Sequence, residues 1–136
     1  MADPWPHYLA AHVDIDFEDG RRTFVPAAPV ALPEGLSPPL WIITACNPGG
    51  AARSEAVNHR ENRRLLAAVQ AAGWRHWPAV GRNADATWQE ASFAVEAPGE
   101  AILALARRFG QDAVFRLDVG GLGVVGCALA AVPLEG

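Results

Sequence analysis

Lysine is absent from this sequence, because all eleven basic residues among its 136 are arginines. A phosphate-binding P-loop needs a lysine after its glycines, so the chain cannot contain one. Basic charge is also in deficit: fifteen acidic residues against eleven basic ones give a net charge of −4. Proteins that bind the phosphate backbone carry basic excess, so this balance argues against a nucleic-acid partner.

Cysteine and long apolar runs are scarce as well. Two cysteines, Cys46 and Cys127, do not make the disulfide framework of a small secreted protein. Neither a signal peptide nor the ~20 apolar residues of a membrane-spanning helix can be found. The four histidines have no metal-ligand spacing with each other or with the cysteines. We therefore expect a cytoplasmic protein with no membrane partner, no metal and no cofactor.

Proline and glycine divide the chain into short elements. The length fits one domain over residues 1–136. Residues 13–25 alternate apolar and polar side chains around an E-D-G turn, which predicts a hairpin. Residues 26–39 hold five prolines and should form a surface connection. Residues 40–46 are apolar β formers, which predicts a buried central strand.

The remaining pattern predicts two helices and four more strands. Ser54 is a suitable N-cap for a helix that ends at Gly73. Pro98 is suited to the first position of a second helix, which ends at Gly110. Pro78 predicts that the strand over 76–82 lies at a sheet edge. The other strands are expected at 88–96, 113–119 and 124–132.

From residue 40 the predicted order is strand, helix, strand, strand, helix, strand, strand. Its first six elements match the split βαβ order. We therefore expect an α+β fold, namely a ferredoxin-like two-layer sandwich with a mixed or antiparallel sheet and two helices. The N-terminal hairpin and an extra C-terminal strand would extend that sheet.

Polar side chains are expected to meet where the strand over 40–46 ends and the first helix begins. The two helix asparagines continue the apolar stripe of that helix toward its N-terminus. The glycines would let backbone N–H groups approach a ligand, and a helix N-terminus favours an anion. The candidate ligand-binding residues here are Thr44, Asn47, Gly49, Gly50, Asn58, Arg60, Asn62 and Arg63. Alternatively, the asparagines only tie the loop together without a ligand.

A second polar set lies further along the chain. Glu90 and Ser92 share one face of the strand over 88–96, and whether the helices cover that face or the one with Phe93 and Val95 stays open. An inward Glu90 would be a candidate catalytic acid or base, whereas an outward one would be solvated or ion-paired. Gln111, just after the second helix, could add an amide to the site or serve the turn.

Three segments together resemble a known family. They are WIITACNPGG, VGRNADATWQEASFAV and ALARRFGQDAVF, and they are similar to the bacterial DUF3293 family of short proteins of unknown function. A serine is common soon after the Asn-Pro pair in that family, where this chain has Gly49 and Gly50. The resemblance implies a small cytoplasmic α/β protein, and it brings no activity, cofactor or catalytic residue.

Two functions remain open on the sequence alone. The first is a polar pocket for a small anionic or nucleotide-like metabolite, in a binding protein or an enzyme. The second is a non-catalytic module that binds a protein partner through a strand edge or a tryptophan patch. Convergence of Glu90, Asn58 and Asn62 on an open cleft would favour the first function, and a closed, self-satisfied network would favour the second.

Overall fold

The chain folds around one seven-stranded sheet. The computed structural model describes residues 10–26 and 28–127. Neighbouring strands are antiparallel throughout and lie in the order β2-β1-β4-β5-β3-β6-β7. The strands are β1 (His12–Phe17), β2 (Gly20–Phe24), β3 (Leu40–Ile43), β4 (His76–Arg82), β5 (Gln89–Val95), β6 (Ala113–Asp118) and β7 (Gly121–Gly126).

Two α-helices in the described part of the chain pack on the convex face of this sheet. They are α1 (Glu55–Ala71) and α2 (Gly99–Arg108), and a short 3-10 turn at Pro48–Gly50 precedes α1. Beneath the helices lies one apolar core, built around Ile43, Leu65, Val69 and Ile102. Neither helix is long and apolar enough to cross a membrane.

The concave face of the sheet encloses a second core. Inward residues of the hairpin and of β4, such as Val13, Ile15 and Trp77, meet those of β3 and β6 there. Val30, Leu32 and Leu36 of the proline-rich segment pack against this core. The same segment begins with a bridge between Pro26 and Leu122 of β7, so the two sides of the sheet approach each other. The result is a curled half-barrel.

The predicted ferredoxin-like two-layer sandwich is therefore wrong, and of the two sheet types left open, mixed or antiparallel, the structure has the antiparallel one. Such a sandwich covers one sheet face with helices and leaves the other face to solvent. Here β1 pairs with β4 and β7 pairs with β6, which makes the antiparallel sheet wide enough to curl around its own core. All four residues of β3 are buried, as expected for a strand with a core on each side.

The local predictions for the helices and the hairpin agree with the structure, except for the position of Pro98. Ser54 caps α1, because its hydroxyl accepts a hydrogen bond from the Val57 N–H at 3.2 Å. Gly73 follows α1 with a φ of 75°, the left-handed conformation that glycine adopts without strain. Pro98 is the N-cap of α2 and not its first helical residue. From residue 40 the observed order of elements is the predicted one.

Two predictions about individual strands need correction. β4 is not an edge strand, because it lies between β1 and β5. Pro78 is tolerated within it because the ladder to β1 ends at the Ile15–Ala79 pair, one residue short of the proline. The last strand begins earlier than predicted, at Gly121, and the part of that prediction from residue 128 onward lies outside the described residues.

Candidate functional site

Asn47 is the centre of a polar network at the end of β3. Its backbone is left-handed (φ 46°, ψ 59°), a conformation that asparagine tolerates better than most residues, and it turns the chain toward α1. Its side-chain oxygen accepts hydrogen bonds from the Arg53 N–H and from the Asn58 amide, both at 2.9 Å. Its amide nitrogen donates to Glu90 Oε2 at 2.8 Å. Asn47 thus connects the loop, α1 and β5.

The two asparagines of α1 bind the main chain beside that loop. Asn58 Oδ1 accepts a hydrogen bond from the Asn47 N–H at 3.0 Å. Asn62 is buried, and its Oδ1 accepts one from the Ala45 N–H at 2.8 Å. Its Nδ2 donates to the Ala91 carbonyl at 2.9 Å and contacts Cys46 Sγ at 3.3 Å. Both amides therefore have protein partners on their oxygen and nitrogen atoms.

Three more predicted site residues are also engaged with backbone groups. The Thr44 hydroxyl donates to the Ala91 carbonyl at 2.7 Å. The buried Gln111 amide donates to the Cys46 carbonyl at 3.0 Å. The Gly49 N–H donates to the Gly110 carbonyl at 2.9 Å, whereas Gly50, a fourth predicted residue, is the last residue of the 3-10 turn.

Glu90 belongs to the same network but differs from its other members. It shares the concave side of β5 with Ser92 and Ala94, whereas Phe93 and Val95 pack under the helices. The helices therefore cover the face of β5 that carries Phe93 and Val95, and not the face that carries Glu90. Burial raises the pKa of its carboxyl group, and the hydrogen bond from Asn47 opposes part of that rise. Glu90 Oε1 has no hydrogen-bond partner among residues 10–26 and 28–127.

Glu90 lines two cavities at once. One, on the concave side, has a volume of about 20 Å³ and is also bounded by Thr44, Trp88, Ser92 and Gln111. That volume can hold about one water molecule. The other is a groove of about 910 Å³ between α1 and the convex face of β4 and β5. Drug-sized ligands occupy pockets of roughly 300–1,000 Å³, so only the groove is large enough for one.

The groove has one charged wall and an apolar floor. Glu55, His59 and Arg63 recur every four residues along α1, so they share the helix face that forms the wall. The floor consists of side chains of β4 and β5 that α1 leaves uncovered, namely Pro78, Val80, Ala91 and Phe93. Arg60 does not line this groove, and it lies 3.6 Å from Glu61 on the exposed side of α1.

Sequence reasoning missed most of this groove. The spacing of Glu55, His59 and Arg63 is readable from the sequence and could have indicated a common wall. The floor could not have been found in that way, because it depends on how β4 pairs with β5 and on where α1 crosses them.

Neither a reactive thiol nor a cluster of metal ligands is found at the site among the described residues. Both cysteines are free and buried. Burial raises the pKa of the Cys46 thiol, which argues against a nucleophilic role. Across the described ranges of the chain, no three histidine, cysteine or acidic side chains come together as metal ligands.

Comparison with known proteins links this site to a family. Residues 43–114 match the family model described as "Protein of unknown function (DUF3293)", which is slightly more than half of the chain. The matched segment runs from the end of β3 into β6 and contains the whole polar network, the α1 wall of the groove and its apolar floor. No curated protein and no solved structure matches the chain.

Proposed function

Because the chain belongs to the DUF3293 family, whose function is unknown, we propose a function from its own geometry: it binds a small molecule in the groove between α1 and β4–β5. The observation that supports this proposal is a ligand-sized groove whose lining includes Glu90, a half-buried residue with one carboxylate oxygen that no described residue hydrogen-bonds. Pockets that combine an apolar lining with a few polar groups are typical ligand sites.

In this proposal the predicted site residues divide into two groups. Glu90 and Arg63 line the groove and contact the ligand, and the anionic or nucleotide-like group expected from the sequence would lie at Arg63. Asn58 also borders the groove, but it and Asn47 hold Glu90 in position, because their own polar atoms already have protein partners. A role for Glu90 as acid or base, and the cytoplasmic location, stay predictions from the sequence.

A thermal-shift screen tests the proposal. A compound that binds only the folded state stabilises it by ~2.7 kcal/mol at a hundredfold excess over its Kd, so a ligand should raise the Tm measurably. Nucleotides, sugar phosphates, amino acids and short peptides would be screened against the unchanged protein and against Glu90→Gln. Glu100→Gln is the matched control, because Glu100 is an exposed glutamate in the first turn of α2 and does not line the groove.

We expect at least one compound to raise the Tm of the unchanged protein and of Glu100→Gln, and to lose most of that effect on Glu90→Gln. No shift with any compound class, or equal shifts in all three proteins, would contradict a ligand site at Glu90.

One observation favours a second function, a non-catalytic module for a protein partner. The amides of Asn47, Asn58 and Asn62 form a closed network, which is what a purely structural role requires. Trp88, with 38% of its surface exposed, is a candidate contact for such a partner. If the screen gives no hit, retention of a binding partner by the unchanged protein but not by Trp88→Ala would support this alternative.

A further inference from the structure

The groove carries opposite charges at two places along α1. Glu55 and Arg63 lie eight residues apart, which at ~1.5 Å per residue separates them by about 12 Å along the helix. Both side chains are exposed, and neither has an ion pair or hydrogen bond within the part of the chain that the structure describes. In contrast, Asp16, the acidic residue on the opposite side of the groove, is already bonded to Arg21 at 2.7 Å.

Glu90 strengthens the negative end of the groove. Asn47 bonds to both Asn58, in the first turns of α1, and Glu90, so Glu90 lies beside the N-terminal part of that helix. Asn62 bonds to the Ala91 carbonyl further along, so β5 and α1 run in the same direction here. Glu55 and Glu90 therefore both lie toward the N-terminal end of α1, and Arg63 lies about two helical turns beyond Glu55 on the same wall.

Charge and shape together restrict what fits this groove. A partly buried carboxylate without a cation is unfavourable, and an ammonium group beside it would relieve that cost. A carboxylate or phosphate group would pair with the Arg63 guanidinium. An apolar body would cover Val80 and Phe93, which are half-buried on the floor.

We propose that the ligand is an extended zwitterion, with its cationic group at Glu55 and Glu90, an apolar middle over the floor and its anionic group at Arg63. A short peptide with free termini has this chemistry, since three extended residues span about 10 Å. This assignment names the ligand class of the function proposed above and rests on it.

Titration of the ¹⁵N-labelled protein with three forms of one peptide tests the assignment. The forms are Ala-Leu-Ala with free termini, the same peptide with an acetylated N-terminus, and the same peptide with an amidated C-terminus. Amide chemical shifts report the affinity and the place of binding. We expect the free peptide to shift signals along α1 and β5, and each blocked form to bind about two- to fivefold more weakly, as for exposed ion pairs.

Variants assign each end of the peptide to its partner. Arg63→Gln should weaken the free and acetylated peptides but leave the amidated one unchanged. Glu90→Gln should weaken the free and amidated peptides but not the acetylated one. Arg60→Gln is the matched control, because Arg60 is an exposed arginine of the same helix that does not line the groove.

Failure of the zwitterion assignment can be distinguished from failure of the proposed small-molecule binding in the groove. Equal affinity of all three peptides, or shifts confined to residues away from α1 and β5, would overturn the zwitterion assignment. The zwitterion assignment would also be overturned if no peptide bound but the thermal-shift screen found a groove ligand of another class. In that case the proposed function would still stand. If neither peptides nor any other class binds the groove, both proposals are overturned.

Discussion

Replacing Asn62 by alanine should destabilise the protein by about 3 kcal/mol. Its Oδ1 is the partner of the Ala45 N–H, and Ala45 is only 1% exposed, so water cannot take over that bond. An unsatisfied buried donor costs ~1–3 kcal/mol, and the lost bond to the Ala91 carbonyl contributes about 1 kcal/mol more. The cost at Ala91 is limited because Thr44 still donates to that carbonyl.

Asn58→Ala is the comparison that makes this number informative. This variant removes the same kind of side chain from the same helix. Asn58 and its partner Asn47 are half-buried, however, so water can replace the lost hydrogen bonds. We expect a loss of about 1 kcal/mol for this variant.

Urea unfolding followed by tryptophan fluorescence would measure both losses. The m-value should not change, and the Tm of Asn62→Ala should fall by about 10 °C for a domain of this size. Equal losses for the two variants, or a loss below about 1 kcal/mol for Asn62→Ala, would refute the view that burial of the amide network stabilises the β3–α1 connection.

Three further predictions concern ionisable groups. Burial raises the pKa of Glu90 above its unfolded value, so the folded state loses relative stability as the pH rises through the folded pKa. Glu90→Gln should therefore gain stability over the unchanged protein between pH 4 and pH 7 in urea unfolding, and a constant difference would contradict this. Burial raises the pKa of both thiols, and that of Cys127 to about 11. Cys46 and Cys127 should therefore react slowly with a disulfide reagent until urea unfolds the protein. Rapid reaction of either thiol in the native state would contradict this. Burial would raise the pKa of Asp14, but its hydrogen bonds, first of all that from Arg82, lower the pKa overall. The stabilisation that Asp14 contributes is therefore present above the pKa of the unfolded state and is lost as the pH falls through the pKa of the folded state. Arg82→Gln should cost about 2 kcal/mol at pH 7 and less at pH 3, and a loss that does not depend on pH would exclude this pair as its source.

Local elements could be predicted because their signals are local. Ser54 and Gly73 bracket α1 within a few residues of its ends, and the alternating pattern of β1 and β2 surrounds their own turn. The architecture could not be predicted in this way. It depends on β1 pairing with β4, a contact such as Val13 with Gly81 that no short window of sequence contains.

For the candidate site, too, the local signals could be read from the sequence and the tertiary contacts could not. The stripe that turns from apolar to amide at Asn58 and Asn62 predicted polar groups for a ligand at the start of α1, and in the structure both amides bond to protein groups there. Sequence could not tell whether those amides face a ligand or the protein, because the deciding partners lie outside α1: Asn47 for Asn58, and the backbone of Ala45 and Ala91 for Asn62. The free oxygen of Glu90 and the apolar floor of the groove likewise follow only from tertiary packing.

The pairing of the N-terminal hairpin with β4 also bears on what can fold alone. The family match spans residues 43–114, yet β1, β2 and β7 lie outside it, and so do Leu40 and Ile42 of β3. A fragment limited to the match would expose the inward side of β4, including Trp77, because Val13 and Ile15 would be missing from the concave core. We therefore expect the smallest autonomous folding unit of this protein to be larger than the segment that its family pattern delimits, and truncated variants should keep β1.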